Sequence, residues 1–525
     1  MSTVKLTRLL CLTSILGMGL VGCSRPGPNS ALRPRADDRA ESIRAQYIDR
    51  EATVEASMED RIAYQPQPLD EYLRRQLLLG PESLTKLPEG KTREESLADN
   101  RHFIAKHVEE PNWTDNLVVA QACLALLEDA ILLGQKPGDE DYEQAITWLT
   151  EIINASGRFA ERPGPVLEWD TINAALIRAA YRSSLIGDNR LKDQTYFAFL
   201  PLWYMHHLQP SREDGSYETL LALINNSLID QSLLYPSADI KWWLETIPEE
   251  PVNSALIPPA LAAVEIPEDF TPPPPFAVYP RAAVLFWRSN WAPGADGLVV
   301  YGALDDDLST FERAGQVEWI AHGDPVLIQA AQASEVVAVE AKPNPDGELT
   351  PQFIPKYSTM LIGDNLPKPG RAPIIARDLN ALGGNLRVDG SAIYPELSLW
   401  HRDLFWEAGG ELRIIDTVRF DFGQRDRTSF YWHLSATEPV TIETDRSRSI
   451  VEWGENAIVF QGNSLLDLEQ FLVPDSETGD GVHVVIRLRT IGRPHSLRLL
   501  TRVLPREAPE EVAETDASSP EPIDN

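Results

Sequence analysis

Two adjacent histidines, His206 and His207, are the first side chains in this sequence to consider for proton transfer. Imidazole titrates near neutral pH, so either residue could act as a general base. The surrounding residues predict a helix, and neighbours on a helix diverge by about 100°. The pair therefore does not chelate one metal ion, and a packed or surface histidine is the competing interpretation.

A run of three aspartates, Asp305, Asp306 and Asp307, carries the oxygen ligands that calcium prefers. The spacing, glycine and final glutamate of an EF-hand loop are missing, so we interpret the run as a solvated turn. A serine nucleophile is not supported, because the sequence has no G-x-S-x-G motif. No cofactor or metal site is predicted, and the sequence does not exclude the binding of a divalent metal ion.

Several aromatic residues fall in predicted helices, where they could stack on sugar rings or pack in a core. They are Trp203, Tyr204, Trp242 and Trp243.

The amino terminus has the pattern of an export signal. Lys5 and Arg8 precede an apolar run over residues 9–20, which is too short to span a bilayer as a permanent helix. Gly22 before Cys23 resembles the lipobox of bacterial lipoproteins. This resemblance implies that residues 1–22 are removed, that Cys23 is lipidated and that the protein is anchored in the cell envelope, with Ser24 favouring the outer membrane. An ordinary secretory signal is the alternative.

Cysteine use excludes two kinds of site. Cys11 lies in the predicted signal and Cys23 at the predicted lipidation position, so Cys123 is left alone. No intrachain disulfide and no cysteine metal site can form. Cys123 lies in an apolar helical run and is predicted to be a small core residue.

The composition excludes further classes of protein. The 525 residues include 79 acidic and 47 basic side chains, a formal net charge of −32. A nucleic-acid-binding protein needs a basic face, and docking on anionic lipid by charge alone needs the same. The apolar content of 43% with 13 Trp supplies enough material for a core.

The chain divides where its hydrophobic period changes. Residues 23–40 are polar and predict a tether, and residues 41–250 have apolar positions at helical spacing. The best stripe comprises Tyr142, Ala145, Ile146, Leu149, Ile152 and Ile153. Residues 251–280 are rich in proline and predict a linker.

Beyond the linker the period becomes two. Residues 482–489 and 412–422 alternate between apolar and polar side chains, which predicts half-buried antiparallel strands. Residues 281–504 therefore predict a large β-sandwich, and the acidic residues 505–525 a disordered tail. Helices followed by strands indicate an α+β protein with two domains.

Motifs in both parts resemble the heparinase II/III family of polysaccharide lyases, which joins an incomplete α/α toroid to an antiparallel β-sandwich. In the helical part, the resemblance lies in residues 169–173, which end in Asn173, and in residues 214–218, Asp-Gly-Ser-Tyr-Glu. In the strand part it lies in residues 323–328, residues 357–362, Arg402 with the strand over 412–418 that contains Asp416, and residues 428–434 with His433.

The departures from the family are as informative. The family's His-x-His-x-Asp element falls on Ser309, Phe311 and Arg313. Ala174 follows Asn173 where the family has histidine, and Tyr357 takes the place of another histidine. The catalytic tyrosine expected soon after Glu218 is absent.

The resemblance implies β-elimination at an acidic sugar, which needs a general base, a proton donor and a group that neutralises the carboxylate. The candidate catalytic residues are Asn173, Tyr217, His207 and Tyr357. The candidate substrate-binding residues are Glu218, Trp203, Arg402 and His433. Packing roles compete with each assignment.

The predicted partner is an acidic polysaccharide or another glycan, with the membrane contacted through Cys23. Such polyanions would be repelled by the overall charge unless the site is locally basic, and Arg377, Arg387, Arg402 and Arg413 could build such a patch. The alternative function is a catalytically inactive relative that binds glycan or assembles with envelope proteins. A scaffold that binds no glycan is a third, weaker hypothesis.

Overall fold

The computed structural model describes the chain from residue 90 to residue 505 with short gaps, as follows: 90–110, 113–159, 166–208, 216–248, 252, 256–280, 282–304, 310–329, 334–445, 448–474 and 481–505. The predicted signal, the tether, Cys23, Asp305 to Asp307 and residues 506–525 lie outside the described residues. Tyr217 and Glu218 are described by their backbone alone. Within the described residues, no helix is long and apolar enough to cross a membrane.

The described part begins with helices. They are α1 (Arg93–His107), α2 (Leu117–Leu132), α3 (Glu140–Phe159), α4 (Val166–Leu185), α5 (Thr195–His207), α6 (Ser216–Gln231), α7 (Ala238–Thr246) and the short α8 (Pro259–Ala262).

Local chemistry starts and orients these helices. Thr92 and Glu95 form a capping box at the start of α1, and the side chain of Asn116 accepts hydrogen bonds from two backbone amides at the start of α2. The predicted stripe on α3 is confirmed, since all six of its residues are buried. Cys123 is buried on α2, as predicted, and burial raises the pKa of its thiol.

Strands follow the helices. They are β1 (Phe276–Tyr279), β2 (Val284–Arg288), β3 (Gly297–Tyr301), β4 (Val317–Ala321), β5 (Asp324–Leu327), β6 (Ser334–Val336), β7 (Gln352–Ile354), β8 (Met360–Ile362), β9 (Ile374–Asn380), β10 (Gly383–Asp389), β11 (Leu397–Glu407), β12 (Leu412–Phe420), β13 (Thr428–Leu434), β14 (Thr441–Asp445), β15 (Arg448–Trp453), β16 (Asn456–Gly462), β17 (Leu466–Pro474), β18 (Val482–Thr490) and β19 (Ser496–Leu504). Helices followed by antiparallel strands confirm the predicted α+β class.

The described strands form two large antiparallel sheets. The first has the order β1-β2-β3-β4-β5-β13-β18-β17, with β8 paired to β13. The second has the order β14-β15-β16-β19-β12-β11-β10-β9. Apolar side chains of both sheets share one core, in which Trp287 of the first sheet contacts Trp406 of the second with ring centroids 5.9 Å apart.

One predicted strand differs from its expected burial. Residues 482–489 were expected to be half-buried, yet β18 is buried along most of its length on both faces. A two-stranded sheet of β6 and β7 lies over the outer face of the first sheet, where Ala338 bridges to Phe471 of β17. Apolar residues of this second core include Ile354 and Val485. The alternation in sequence could not reveal this extra layer.

The proline-rich segment carries structure as well as connecting the two parts. Helix α8 and strand β1 both lie within residues 251–280. The carbonyl of Pro273 accepts a hydrogen bond of 2.9 Å from the indole Nε1 of Trp291. The segment therefore packs against the β part.

Candidate functional site

The helices pack on the outer face of the first sheet, at its β1–β4 end. In one row across the strands, Tyr279 lies opposite Val284, which lies opposite Tyr301. In the next row, Phe286 lies opposite Val299. Val284, Phe286 and Val299 belong to the same apolar core as the helices, and both tyrosines pack against it. We call this contact region the junction.

His206, at the end of α5, joins the two parts of the molecule. Its Nε2 lies 2.9 Å from the carbonyl oxygen of Pro274 and its Nδ1 2.6 Å from the hydroxyl of Tyr279. A carbonyl only accepts, so Nε2 carries the proton and Nδ1 accepts from the tyrosine. Burial lowers the pKa of His206 to about 4, so the ring is neutral at neutral pH.

The predicted catalytic His207 is half-buried beside it. Its Nδ1 lies 2.9 Å from the carbonyl oxygen of Trp203, so Nδ1 donates and Nε2 is the basic nitrogen. The ring packs on Phe286 with centroids 4.7 Å apart. Burial lowers the pKa of His207 to about 4, which makes it a weak base.

The predicted sugar-stacking aromatic residues are mostly packed in the core. Trp203 is 3% exposed, and its indole contacts His207, Tyr279 and Phe286 in the junction. Trp243 is fully buried and donates from Nε1 to Asn225 of α6 at 3.0 Å. Tyr204 is buried among the helices, and Trp242 is half-buried. Trp203 therefore connects the helices to the sheet, whereas Trp243 connects α7 to α6.

Asn173 lies inside the helical part. It is 3% exposed, its Nδ2 donates to the hydroxyl of Tyr204 at 2.7 Å, and its Oδ1 accepts from Tyr196. Both tyrosines belong to α5, so the amide ties α4 to α5. Burial raises the pKa of Tyr196, which keeps this hydroxyl protonated.

A second group of polar residues lies on the first sheet, beginning at Tyr301 on the edge of the junction. The guanidinium carbon of Arg313 lies 4.7 Å from the ring centroid of Tyr301 and 5.4 Å from that of Tyr357. Glu318 of β4 lies opposite Val299 of β3 and interacts with Tyr301. All four side chains are half-buried. We call Tyr301, Arg313, Glu318 and Tyr357 the arginine–tyrosine cluster.

The electrostatics of this cluster are coupled. Burial raises the pKa of Glu318, against the opposing effect of Arg313. Burial also raises the pKa of Tyr301, and the nearby charge of Glu318 adds to this effect. Burial alone would lower the pKa of Arg313, but Tyr301, Tyr357 and Glu318 raise it overall. A permanent cation therefore lies between two phenol rings.

Hydrogen-bond capacity is left over in the cluster. The guanidinium of Arg313 interacts with the hydroxyls of Tyr301 and Tyr357, and its Nη2 is 3.4 Å from Gln329 Oε1, a long contact. Nη1 is buried and has no hydrogen bond of normal geometry with the described residues. An unsatisfied guanidinium N–H is costly, and a carboxylate is its preferred partner.

Arg402, predicted to bind substrate, lies between the two sheets instead. Its side chain is 0% exposed and forms a bidentate ion pair with Asp416, with Nε–Oδ1 at 2.9 Å and Nη2–Oδ2 at 3.0 Å. Its Nη1 donates to the carbonyl oxygens of Gly315 at 2.5 Å and Ser358 at 3.2 Å. Those carbonyls belong to the loops that carry Arg313 and Tyr357, so Arg402 holds the two loops together.

His433, also predicted to bind substrate, is fully buried on β13. Its Nε2 faces the carbonyl oxygen of Pro355 at 3.0 Å, so its Nδ1 accepts from His483 at 2.9 Å. Burial lowers the pKa of His433 to about 3, with a further contribution from His483. His433 is therefore neutral at neutral pH, and its contact with His483 is a structural one beneath the loop of Tyr357.

The structure thus separates the predicted site residues. Trp203 and His207 lie together at the junction, Tyr357 lies in the arginine–tyrosine cluster, and Asn173, Arg402 and His433 are buried elsewhere. Tyr217 and Glu218 lie in the first turn of α6. Sequence reasoning missed Tyr301 and Glu318 and noted Arg313 only as a departure from the family motif. Among the described residues, no group of three or more His, Cys, Asp or Glu side chains could hold a metal ion.

Comparison with known proteins gives a likeness in structure but not in sequence. No family model matches the chain, and no curated protein matches it. A heparinase III structure with methylated lysines superposes with a TM-score of 0.51 at 12% identity, over 78% of this chain and 61% of the other. Another heparinase III structure has a TM-score of 0.51 at 12% identity, over 84% of this chain and 73% of the other.

This chain has a heparinase III-like fold. A heparan sulfate lyase from Pedobacter heparinus also matches, with a TM-score of 0.43 at 10% identity, over 85% of this chain and 84% of the other. The chain spans less than two thirds of the first of these structures. The likeness to the two heparinase III structures is one of fold alone.

Proposed function

We propose that the protein acts on an acidic polysaccharide by β-elimination, and that the arginine–tyrosine cluster is its active site. In this proposal the helices form the incomplete α/α toroid and the two large sheets the β-sandwich of a polysaccharide lyase. The protein is anchored in the bacterial envelope through a lipid on Cys23, in the outer membrane. The substrate class follows from the cluster's chemistry and from the resemblance of the fold.

The chemistry assigns one task to each side chain. Arg313 pairs with the uronate carboxylate and stabilises the negative charge that develops when the neighbouring carbon loses its proton. Tyr357, as phenolate, takes that proton. The bond from the next carbon to the glycosidic oxygen breaks, a double bond forms within the sugar ring, and the proton returned by Tyr357 neutralises the leaving oxygen.

One observation carries this assignment. Arg313 has a buried N–H without a hydrogen bond of normal geometry among the described residues, and it lies beside the half-buried Tyr357. The alternatives are less suitable for proton transfer. His207 has a pKa of about 4 and His433 one of about 3, and Asn173 is engaged by two tyrosines.

The decisive experiment follows the ultraviolet absorbance of unsaturated uronate. The purified protein is offered alginate, ulvan, heparan sulfate and chondroitin sulfate. We expect turnover of at least one polymer, and loss of turnover in Tyr357→Phe and Arg313→Gln. The matched control for the arginine is Arg377→Gln, which removes an exposed charge from β9. No absorbance with any of the four polymers would reject the lyase proposal.

A second candidate function is a catalytically inactive glycan-binding relative. The observation that favours it is the state of the described histidines at the junction and on β13, which are buried or half-buried, hydrogen-bonded and neutral. Binding of an acidic glycan without turnover would select this function. Absence of both binding and turnover would favour a scaffold.

A further inference from the structure

Strands β12 and β19 lie side by side in the middle of the second sheet, and their outward positions are rich in arginine. Side chains that point inward from these strands, such as Ile414 and Leu499, are fully buried in the core between the sheets. The alternate positions point outward and are exposed or half-buried. We call the outward side chains Arg413, Arg419, Arg498 and Arg502 the arginine face.

This face is basic within a strongly acidic protein. Apart from the arginines, the outward residues are Ile415 and Thr417 on β12 and Ser496, Leu500 and Leu504 on β19, so no outward position of either strand is acidic. Only Arg502 has an ion pair among the described residues, with Glu411 of the adjacent turn at 2.5 Å. Arg419 bonds to the hydroxyl of Ser398 at 3.2 Å.

Two like charges lie side by side on this face, and among the described residues only that of Arg502 is offset by a carboxylate. Arg413 and Arg502 are directly opposite each other in the register of the two strands. Like charges at such a pair of positions are destabilising. A chain with 79 acidic residues could place a carboxylate there, yet both positions are arginine. An anionic ligand would remove the repulsion.

We propose that the arginine face is a second binding surface for acidic polysaccharide, separate from the arginine–tyrosine cluster. Arg413 and Arg502 are opposite each other, and Arg498 is four residues from Arg502 along β19, a distance of about 13 Å that an extended polymer following the strand can span. Arg413, Arg498 and Arg502 lie within two neighbouring strands and can contact successive acidic groups. The assignment to a polysaccharide rests on the proposed function, whereas the positive charge of the surface does not.

The test measures binding apart from turnover. Fluorescence anisotropy of labelled heparan sulfate and alginate oligosaccharides is recorded with the full chain at several salt concentrations, with neutral dextran as a control. The variant Arg413→Gln/Arg498→Gln removes two charges from the face. The matched control Lys106→Gln/Lys136→Gln removes two charges from the exposed surface of the helical part. Thermal melts establish that both variants are folded.

We expect the double arginine variant to bind about tenfold more weakly and with a smaller salt dependence, and the lysine variant to bind like the wild type. Equal binding by both variants would overturn the proposal, as would an absence of binding at low salt. Stronger binding of the arginine face to vesicles of anionic phospholipid than to the oligosaccharides would also overturn it.

The same measurement in Arg313→Gln separates the two proposals. Binding that persists in this variant and is lost on adding Arg413→Gln and Arg498→Gln supports the arginine face even if no polymer is cleaved. The opposite result is turnover that depends on Tyr357 while binding is unchanged in the Arg413→Gln/Arg498→Gln variant. That result would support the proposed function and reject this inference.

Discussion

Two polar regions on the first sheet have opposite electrostatic character. At the junction, His206 and His207 are neutral, hydrogen-bonded to backbone carbonyls and packed among aromatic rings. In the arginine–tyrosine cluster, a permanent cation lies beside two phenols, and its Nη1 has no hydrogen bond of normal geometry with the residues that the structure describes. At the junction the polar groups are used in contacts that hold the helices to the strands. In the cluster, one N–H group of Arg313 lacks such a contact among the described residues. Residue type alone therefore does not identify the reactive region.

The largest expected effect concerns Arg402, the residue that positions the cluster's loops. Arg402→Met leaves the carboxylate of Asp416 buried without its cation, and we expect the free energy of unfolding to fall by about 4 kcal/mol. The measurement is urea denaturation at neutral pH. Arg413→Met, on the neighbouring strand but pointing outward, is the matched control and should change stability by about 0.5 kcal/mol or less. Similar losses for both would contradict the assignment of Arg402 to the interior.

Tyr357→Phe tests the reactive side of the comparison. Loss of the phenol proton should lower kcat by about a hundredfold or more, because general acid–base catalysis contributes at least that much. Ultraviolet absorbance of the unsaturated product measures the rate, and circular dichroism checks the fold. Tyr181→Phe, a half-buried tyrosine of α4, is the control. A Tyr357→Phe variant with full activity would move catalysis away from the cluster.

His206 tests the structural side through pH. Its pKa in the folded protein is about 4, below the ordinary value of 6.5, so the unfolded chain takes up the proton first as the pH falls. Its contribution is therefore complete above about pH 6.5 and is lost towards pH 4. We expect His206→Gln to weaken the pH dependence of stability in this window by about 2 kcal/mol. Denaturation at pH 7 and pH 4.5 measures it.

The control for this measurement is His401→Gln, which removes a half-buried histidine of β11 in the second sheet, away from the junction. An unchanged pH dependence in His206→Gln would show that the contact to Pro274 and Tyr279 does not hold the ring neutral.

An effect of similar size is expected at Asn173, inside the helical part. Asn173→Ala leaves the hydroxyls of Tyr196 and Tyr204 without this partner, and we expect a loss of about 2 kcal/mol in the free energy of unfolding. If Asn173 is structural, the loss appears in denaturation curves at every pH where the tyrosines are protonated. A fall in kcat with unchanged stability would instead restore the catalytic role that its family position implies.

The directions of four arginine side chains show what the alternating pattern of a strand can predict. Arg377, Arg387, Arg402 and Arg413 were predicted to share one basic patch, but Arg402 points inward while the other three point outward. Trp400, Leu404 and Trp406 share its parity on β11 and are buried, so the period of two already placed Arg402 on the core side. The sequence alone could not supply the partner strand that brings Asp416 opposite Arg402.

Other contacts could not be predicted from the pattern of a single strand or helix. Tyr357 is distant in sequence from Tyr301 and Arg313, and Arg402 brings their loops together through the carbonyls of Gly315 and Ser358. The burial of His433 depends on the layer of β6 and β7 above it. Local periodicity reports which face of an element is apolar, but not which other element covers that face.

The sequence by itself determined the order of helices and strands, the buried stripe of α3 and the burial of Cys123, because each follows from hydrophobic spacing along a single element. The tertiary structure alone decided that His206 and His207 are neutral, that Arg402 is buried and connects two loops, and that one N–H group of Arg313 has no hydrogen bond of normal geometry within the described part of the chain. Those properties depend on burial and on partners distant in sequence, and both arise only when separate elements pack.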